Sequence, residues 1–541
     1  MSSSGFGRPC CRCCLWTETT DRTRNLFPTP GVGKNVEEAR TRAGVSGVVA
    51  VALALGFGEL LAGLFEGVPS PLASVGSFVV DSSPSFVRDL AIGVFGTADK
   101  AALAVGTSII ALAVGWYTGI GTKRRPWAGP AVFGLFATLG VVAGWDEPLA
   151  EPVPLVVATA LAAVSGWLVL AFMLEAVSGV EQPTDGLSGD SSRRRFIRLA
   201  VGTSAAAVVA GTAGRTLLTR LPDLPAVEIA ASGSSAIPLA DEHFFEIDGI
   251  SPVVIPNQDF YRIDTALVVP AVDESEWSLR VHGLVDSEVE LGYADLLAME
   301  IVEEYVTIAC VSNDVGGDLV GNALWSGVRL TDILDMAGVR PEATQLVGRS
   351  IDRFTAGFPS DLAYDGREPL VALGMNGEPL PRRHGFPARL IVPGLYGYVS
   401  ATMWLTEIEL TTWDEFDGYW IPRGWAKEAP IKTQSRIDVP TGRQSLAPGA
   451  NVIAGVAWAP LRGIERVEVQ VGTGPWQTAE LSVPLSDTAW VQWKAVVSLE
   501  AGRHRVRVRA TDGTGRAQTA EEMSPRPDGA TGHHDILVRV E

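Results

Sequence analysis

The chain has 541 residues, a formal charge of −19 and a hydrophobic fraction of 47%. Its length allows several domains, and its acidity argues against nucleic acid as a partner, because phosphate backbones select basic surfaces. Arg and apolar runs crowd the first part of the chain and carboxylates gather after Asp241, so the positive mean hydropathy is expected to come from membrane segments near the start.

Residues 1–44, with scattered Arg and Thr, read as a disordered cytoplasmic tail. Cys10, Cys11, Cys13 and Cys14 could ligate a metal or carry lipid. No second Cys or His cluster completes a metal site, however, and the first apolar run is distant. Crossing a bilayer takes ~20 mostly apolar residues. Val45–Phe65, Ala101–Ile120, Trp127–Gly144 and Val153–Val177 qualify, and Phe196–Gly214 is a weaker, Ala- and Gly-rich fifth. Leu72–Val80 is too short to span and reads as a loop or re-entrant segment. Positive loops stay cytoplasmic. Lys123, Arg124 and Arg125 lie between the second and third runs, Arg193, Arg194, Arg195 and Arg198 precede the fifth, and Asp146, Glu147 and Glu151 fall between the third and fourth. Residues 45–215 are therefore expected to form a transmembrane bundle of about five helices in the cell membrane. The N-terminus is expected inside, and everything after about residue 220 on the extracytoplasmic side.

Ser192-Arg193-Arg194-Arg195-Phe196-Ile197-Arg198 resembles a twin-arginine export signal, with its weakly hydrophobic run behind it. Plain positive-inside anchoring would need the arginines but not the order Phe196-Ile197-Arg198. The twin-arginine route carries folded proteins, which implies a cofactor inserted before export, and the segment would stay as the last span. Six histidines occur, all from His243 onward, so the bundle is expected to hold no haem of its own, since such haems take helix histidines.

Residues 216–250, rich in Pro, Ser, Ala and Gly, read as a linker. Residues 251–440 mix strand-like runs such as Trp277–Gly283 with short helical ones at Gly292–Ile301 and Leu330–Gly338. Residues 441–541 alternate apolar and polar in Val452–Trp458, Ile464–Val471, Ala489–Val497 and His504–Ala510, which predicts an immunoglobulin-like β-sandwich. His533 and His534 are adjacent, so they point to opposite faces of a strand and are expected at the surface. Tyr305 to Gly317 reads as a buried strand entering a Gly-rich turn, with Cys310 where strand gives way to loop. Cys310 is the one thiol after Cys14. A lone thiol in an exported region is either a small buried hydrophobe or a soft ligand held for a metal.

Asn257-Gln258-Asp259-Phe260-Tyr261-Arg262, then Thr307-Ile308-Ala309-Cys310-Val311-Ser312-Asn313, then a long run from Met375-Asn376-Gly377-Glu378 through Arg382-Arg383-His384-Gly385-Phe386-Pro387-Ala388-Arg389 to Gly394 follow in order. Together they resemble the molybdenum-cofactor domain of the sulfite oxidase family, which also includes plant nitrate reductase and a bacterial periplasmic methionine-sulfoxide reductase. The resemblance covers about Ile250 to Glu541. The membrane part lies outside it, so the expected protein is multi-domain: after the helical transmembrane bundle read from hydropathy, the resemblance implies a mixed α+β sulfite-oxidase-like cofactor domain at 251–440 and a dimerisation-type sandwich at 441–541. The implied cofactor is molybdenum–molybdopterin, with Cys310 as catalytic thiolate and metal ligand. The implied cofactor contacts are Asn257, Tyr261 and Arg262 in the first loop, Asp352, His384 and Arg389, and Ser400, Ala401 and Thr402 beside the phosphate. The implied activity is two-electron oxygen-atom transfer on a small-molecule substrate. A separate electron carrier (a cytochrome or membrane redox subunit) and a homodimer through the C-terminal domain are implied partners.

Departures from the family pattern bear on substrate. Sulfite-oxidising members carry Arg just before the first-loop Asn and again five residues after the Cys, where this chain has Pro256 and Val315. Met403 stands where many members have Lys, and the substrate-site Tyr falls on Gly424 or Trp425. A dianion needs such a positive pocket, so sulfite specificity is not expected. Trp404, Trp413, Tyr419, Trp420 and Trp425 either line a pocket for a larger, less charged substrate or pack a domain junction. The rival class is a non-catalytic extracytoplasmic receptor or adhesion module, which would explain the sandwich but not Cys310 or the His384 motif.

Overall fold

The computed structural model describes residues 30–541 apart from 85–86, 88–93, 96–98, 146, 148, 179–188, 221–223, 225–228, 230 and 443. The cysteines of the tail and Asp146 lie outside the described residues. The helical part consists of α1 (Pro30–Leu64), α2 (Pro71–Ser82), α3 (Asp99–Arg124), α4 (Ala128–Trp145), α5 (Pro152–Ser178) and α6 (Gly189–Thr219). Five of its helices are long and apolar enough to cross a membrane, over Glu37–Leu64, Lys100–Arg124, Ala128–Trp145, Pro152–Ala176 and Arg193–Thr219. Ile109, Ile110, Val157 and Val209 point outward from them, as expected of helices that are apolar all round. α2, at 12 residues, is too short to span.

One compact unit holds the described residues up to Ala54 with Ile110–Leu135 and Ala163–Ala207, and a second holds Leu55–Ile109, Phe136–Ala162 and Val208–Glu541. In the first, α1 and α3 touch backbone to backbone. A Cβ on Gly47 would lie 1.9 Å from the Gly115 carbonyl oxygen, and one on Gly119 would lie 1.9 Å from that of Ala43. Small residues four apart permit that approach where lipid offers no hydrophobic drive for association. In the second, the buried Glu59 accepts from Ser70 Oγ at 2.7 Å and from the Leu72 amide at 3.1 Å, so an acid on α1 satisfies the N-terminus of α2.

The mixed region runs β1 (Ser278–Gly283), β2 (Val289–Gly292), α7 (Tyr293–Leu297), β3 (Ile301–Ala309), β4 (Val320–Arg329), α8 (Leu330–Ala337), β5 (Gln345–Ser350), β6 (Thr355–Pro359), β7 (Leu370–Met375), β8 (Glu378–Pro379), β9 (Arg389–Ile391), α9 (Gly397–Ser400) and β10 (Leu405–Thr411). One sheet has the order β2-β1-β10-β5-β6, and the other β3-β4-β7-β8 with β9 also on β7. The β1–β10 pair is parallel. α8 forms because Leu330, Ile333, Leu334 and Ala337 share one buried face, and it stops at Gly338, whose φ of 68° lets its N–H close on Leu334. A common core joins Leu279, Leu346, Phe386 and Leu390.

The last region contains β11 (Gln434–Val439), β12 (Ser445–Leu446), β13 (Gly449–Trp458), β14 (Ile464–Val471), β15 (Trp476–Thr478), β16 (Glu480–Leu481), β17 (Val491–Leu499), β18 (Gly502–Asp512) and β19 (Asp535–Val540). Its two sheets, β11-β13-β17-β16 and β12-β19-β18-β14-β15, enclose Ile453, Val467, Val469, Trp493, Val506 and Val538. A loop of this region caps the free edge of β3. The Thr307 amide donates to Thr488 at 3.1 Å, the Trp490 amide to Thr307 Oγ1 at 2.8 Å, and Ser486 Oγ to the Tyr305 carbonyl at 2.9 Å. The stretch expected as a linker is held along part of its length. The amides of Ser232 and Gly233 both donate to Ile301, the Glu303 amide donates to Ser234, and the Phe245 amide donates to Gln492 Oε1 at 2.6 Å. Unpaired backbone groups must be satisfied even where composition suggests slack.

Candidate functional site

β3 ends at Ala309, and the next residue, Cys310, opens a tight loop. The Cys310 amide donates to Leu319 at 2.9 Å, its carbonyl accepts from Asn313 at 3.1 Å, and Asn313 Oδ1 takes the Leu319 amide at 2.9 Å. Gly316 has φ +80° and the imidazole of His534 against it, so a Cβ there would meet ring carbons at 2.3 Å. The loop is thus fixed at both ends by hydrogen bonds and at its apex by packing. Among the described residues Cys310 is the free cysteine; its Sγ lies 2.9 Å from Ser312 Oγ. Burial pushes the thiol up, and the Ser312 hydroxyl and amide pull it down.

His384 and Arg389, 5% and 7% exposed, lie beside that loop's sheet. His384 Nε2 is 2.8 Å from the Asn257 carbonyl, an acceptor, so the proton sits on Nε2 and Nδ1 carries a lone pair. Burial, with Arg389 nearby, lowers the imidazole to about 4, which keeps it neutral at pH 7. Arg389 Nη1 donates to the His384 carbonyl at 3.2 Å, and its guanidinium lies 5.2 Å from the Trp325 ring centroid. Burial lowers it to about 10, with Tyr261 opposing, so it remains cationic. Phe260 meets both Trp325 and His384 edge to face. Three buried polar atoms here have no partner among the described residues: His384 Nδ1, Arg389 Nε and Thr402 Oγ1. Native interiors rarely leave such groups unpaired. An acceptor, a cationic donor and a hydroxyl together fit a ligand that brings N–H donors and an anionic phosphate. That donor set suits molybdopterin.

The first loop contributes differently from residue to residue. The Asn257 amide is spent on protein: Nδ2 donates to Met375 at 3.1 Å and to Glu378 Oε2 at 3.2 Å, and Oδ1 accepts from Asn376 Nδ2 at 2.8 Å. Its carbonyl, not its side chain, orients His384. The Tyr261 hydroxyl is pushed up by burial, then by Cys310, and eased by Arg389, so it lies within electrostatic reach of both. Arg262 Nε pairs with Asp264 at 2.6 Å. Asp352 accepts from Thr265 Oγ1 at 3.1 Å and from the Phe354 amide at 3.1 Å; burial raises it and these bonds counter. Ser400 Oγ donates to Leu395 and Tyr396, and the Ala401 amide to Gly397, so of Ser400, Ala401 and Thr402 only Thr402 has an uncommitted side chain.

Of the two alternatives for Trp404, packing holds: it is fully buried with Nε1 on the Arg382 carbonyl at 2.8 Å. The two adjacent histidines depart from expectation. His533 and His534, expected at the surface, are half-buried: His533 Nε2 lies 3.1 Å from the Gln518 carbonyl, and His534 Nδ1 accepts from Ile437 at 2.9 Å. A cavity of about 380 Å³ opens beside the cysteine loop, lined by Asp314, Val315, Glu522, Thr531, His534 and Asp535, among others. Trp325, under Arg389, escaped sequence reasoning. It carries no local signal, since it is an aromatic in an apolar run. Ser312 stood in the quoted cysteine motif and could have been singled out.

The family model described as oxidoreductase molybdopterin binding domain matches residues 266–420. The uncharacterized oxidoreductase YuiH of Bacillus subtilis is 35% identical over 176 residues, 32% of this chain and 85% of that protein. The mitochondrial sulfite oxidase of Rattus norvegicus is 30% identical over 308 residues, 48% of this chain and 56% of that protein, so the chain spans little more than half the length of that relative. The solved sulfane dehydrogenase SoxCD from Paracoccus pantotrophus aligns with a TM-score of 0.48 at 21% identity, over 54% of this chain and 84% of that one. The chain belongs to the sulfite oxidase family of molybdopterin-dependent oxidoreductases.

Proposed function

We propose that this oxidoreductase is a membrane-anchored enzyme, with its cofactor domain outside the cytoplasm, that performs two-electron oxygen-atom transfer on a substrate other than sulfite. The observation that carries it is the set of unpartnered buried atoms, His384 Nδ1, Arg389 Nε and Thr402 Oγ1, beside the loop that opens at Cys310. When bound, molybdenum–molybdopterin supplies a two-electron centre that accepts or donates an oxygen atom. Cys310 is the residue to hold the metal, a soft sulfur on a rigid loop. Arg389 and Thr402 take the phosphate, and His384 Nδ1 accepts an N–H. The Tyr261 hydroxyl, kept protonated by burial, is a hydrogen-bond donor within electrostatic reach of the sulfur. Asn257, Arg262 and Asp352 act through the shape of their loops.

The substrate reading is supported by the cavity beside the cysteine loop. Val315 stands there, with carboxylates at Asp314, Glu522 and Asp535 and with His534 held neutral by burial. A dianion entering it would face repulsion and no Arg fork. Membrane anchoring is supported by the five apolar helices and by Lys123–Arg125 against Glu147 and Glu151. The Arg193-Arg194 pair ahead of Phe196 supports twin-arginine export. The two-sheet C-terminal region is read as an immunoglobulin-like domain of the dimerisation type, and electrons pass to a separate carrier.

The test is metal and pterin analysis of the purified full-length protein, with Cys310→Ser beside it. Wild type should hold molybdenum and pterin in equal amounts. Cys310→Ser should keep the pterin through Arg389 and His384 while losing one metal–sulfur contact, read by X-ray absorption, together with all turnover. A serine variant with unchanged metal–sulfur scattering and normal turnover would return Cys310 to a packing role. Rapid turnover of micromolar sulfite would overturn the substrate reading alone.

A further inference from the structure

Ser312 has no role in the cofactor contacts described above, yet its hydroxyl lies within hydrogen-bond reach of the Cys310 sulfur. Its Oγ lies 2.9 Å from Cys310 Sγ. Ser312 is not spent on the turn, as serines in tight loops commonly are: among the described residues its hydroxyl has no backbone partner. The backbone closures belong instead to Leu319, Asn313 and Gly317, and the Gly317 carbonyl is anchored by Arg436 Nη1 at 2.8 Å. His534 presses on the apex at Gly316. The hydroxyl therefore reaches the sulfur because the loop is held from outside, and it would remain there if the hydrogen bond were lost.

We propose that Ser312 sets the donor strength of the Cys310 sulfur, and through it the redox potential of the metal that sulfur binds. The inference rests on the metal-ligand reading of Cys310. A sulfur that has given up its proton can only accept, so Ser312 must then donate. A hydrogen bond to a ligating thiolate draws density away from the metal, weakens the metal–sulfur bond and favours the reduced state. The potentials of iron–sulfur centres respond to hydrogen bonds on sulfur in the same way. Ser312 is thus a positioning and tuning residue, acting through the thiolate without touching substrate.

The experiment uses full-length holoenzyme as wild type, Ser312→Ala, Ser312→Gly and Ser312→Thr. The molybdenum midpoint potential is read by redox titration with electron paramagnetic resonance, and metal–sulfur distances by X-ray absorption. Both deletions of the hydroxyl should shift the potential down and shorten the cysteine–metal distance, and Ser312→Thr should restore both. A purely structural serine would move neither. Potentials equal to wild type in the alanine and glycine variants would overturn the inference while leaving Cys310 as ligand. Wild-type spectra lacking a sulfur beyond the pair from the pterin would overturn both.

Discussion

Arg389 should behave oppositely in the empty and loaded protein, which separates a ligand-binding residue from a structural one. It is 7% exposed and its ionisation falls from 12.5 to about 10 through burial. At ~1.36 kcal/mol per unit, that fall represents about 3 kcal/mol held against the charged form. Its replacement by Met removes this cost. It also removes the bond to the His384 carbonyl, about 1.5–3 kcal/mol for a charged donor, and the stacking on Trp325, about 1–2 kcal/mol. These terms nearly cancel, so apo Arg389→Met should unfold within about 2 kcal/mol of wild type. In the loaded protein the same change would leave the buried phosphate without its cation, with Thr402 alone beside it. That costs roughly 2–5 kcal/mol, or about 30- to 5,000-fold in affinity. The assay pairs urea unfolding of apo protein with pterin retained through gel filtration. A variant that keeps its full pterin complement would refute the assignment. So would an apo protein destabilised by more than about 4 kcal/mol, which would make Arg389 a structural cation.

Asp264, with a side chain 3% exposed, is held by Arg262 at 2.6 Å and Lys100 at 2.9 Å, and Lys100 also donates to the Ala266 carbonyl. Lys100→Met should cost about 1–2 kcal/mol, because Lys100 is itself partly exposed, and Lys100→Arg should recover most of it; an unchanged denaturation midpoint would show that the pair is idle. Glu304, beside Thr488 on the loop that caps β3, is raised from 4.5 to about 7, chiefly by burial. Its folded form prefers the proton, so its contribution is fully present below pH 4.5 and is lost as pH rises through 7, up to about 3 kcal/mol. Glu304→Gln should flatten the stability profile between pH 4.5 and 8, and an unaltered slope would assign the dependence elsewhere. Changing Arg193 and Arg194 together to Lys keeps the charge but should leave the cofactor domain protected from protease added outside spheroplasts; normal digestion would refute twin-arginine export.

Much of the candidate site could be named from the sequence because the chemistry expected of it is local. Cys310 marks itself as a single thiol at a strand end, and the His384–Arg389 run is long enough to be specific. The apolar helices were equally legible, since a span depends on length and hydropathy summed over one segment. β14 covers the residues that alternation predicted, and β13 and β18 extend theirs by a few. What alternation could not show was which free edge the sandwich loop would cover, because that is decided by two segments nearly 200 residues apart meeting at Tyr305 and Thr307.

By itself the sequence offered residue types that could hold a molybdenum cofactor and the runs apolar enough to cross a membrane, though not the ends of their helices, and it puts Pro256 and Val315 where sulfite oxidisers are expected to carry Arg. Only the tertiary structure decided how each polar group is used. A hydrogen-bonding side chain has several possible partners, and folding selects among them by burial and distance. So the Asn257 amide is committed to Met375 and Glu378, and the Ser400 hydroxyl to its own helix turn, while His384 Nδ1, Arg389 Nε and Thr402 Oγ1 are buried with no partner among the described residues. The same selection puts the Ser312 hydroxyl on the Cys310 sulfur, a contact that two residues of spacing allow but only a loop pinned by Leu319, Arg436 and His534 enforces.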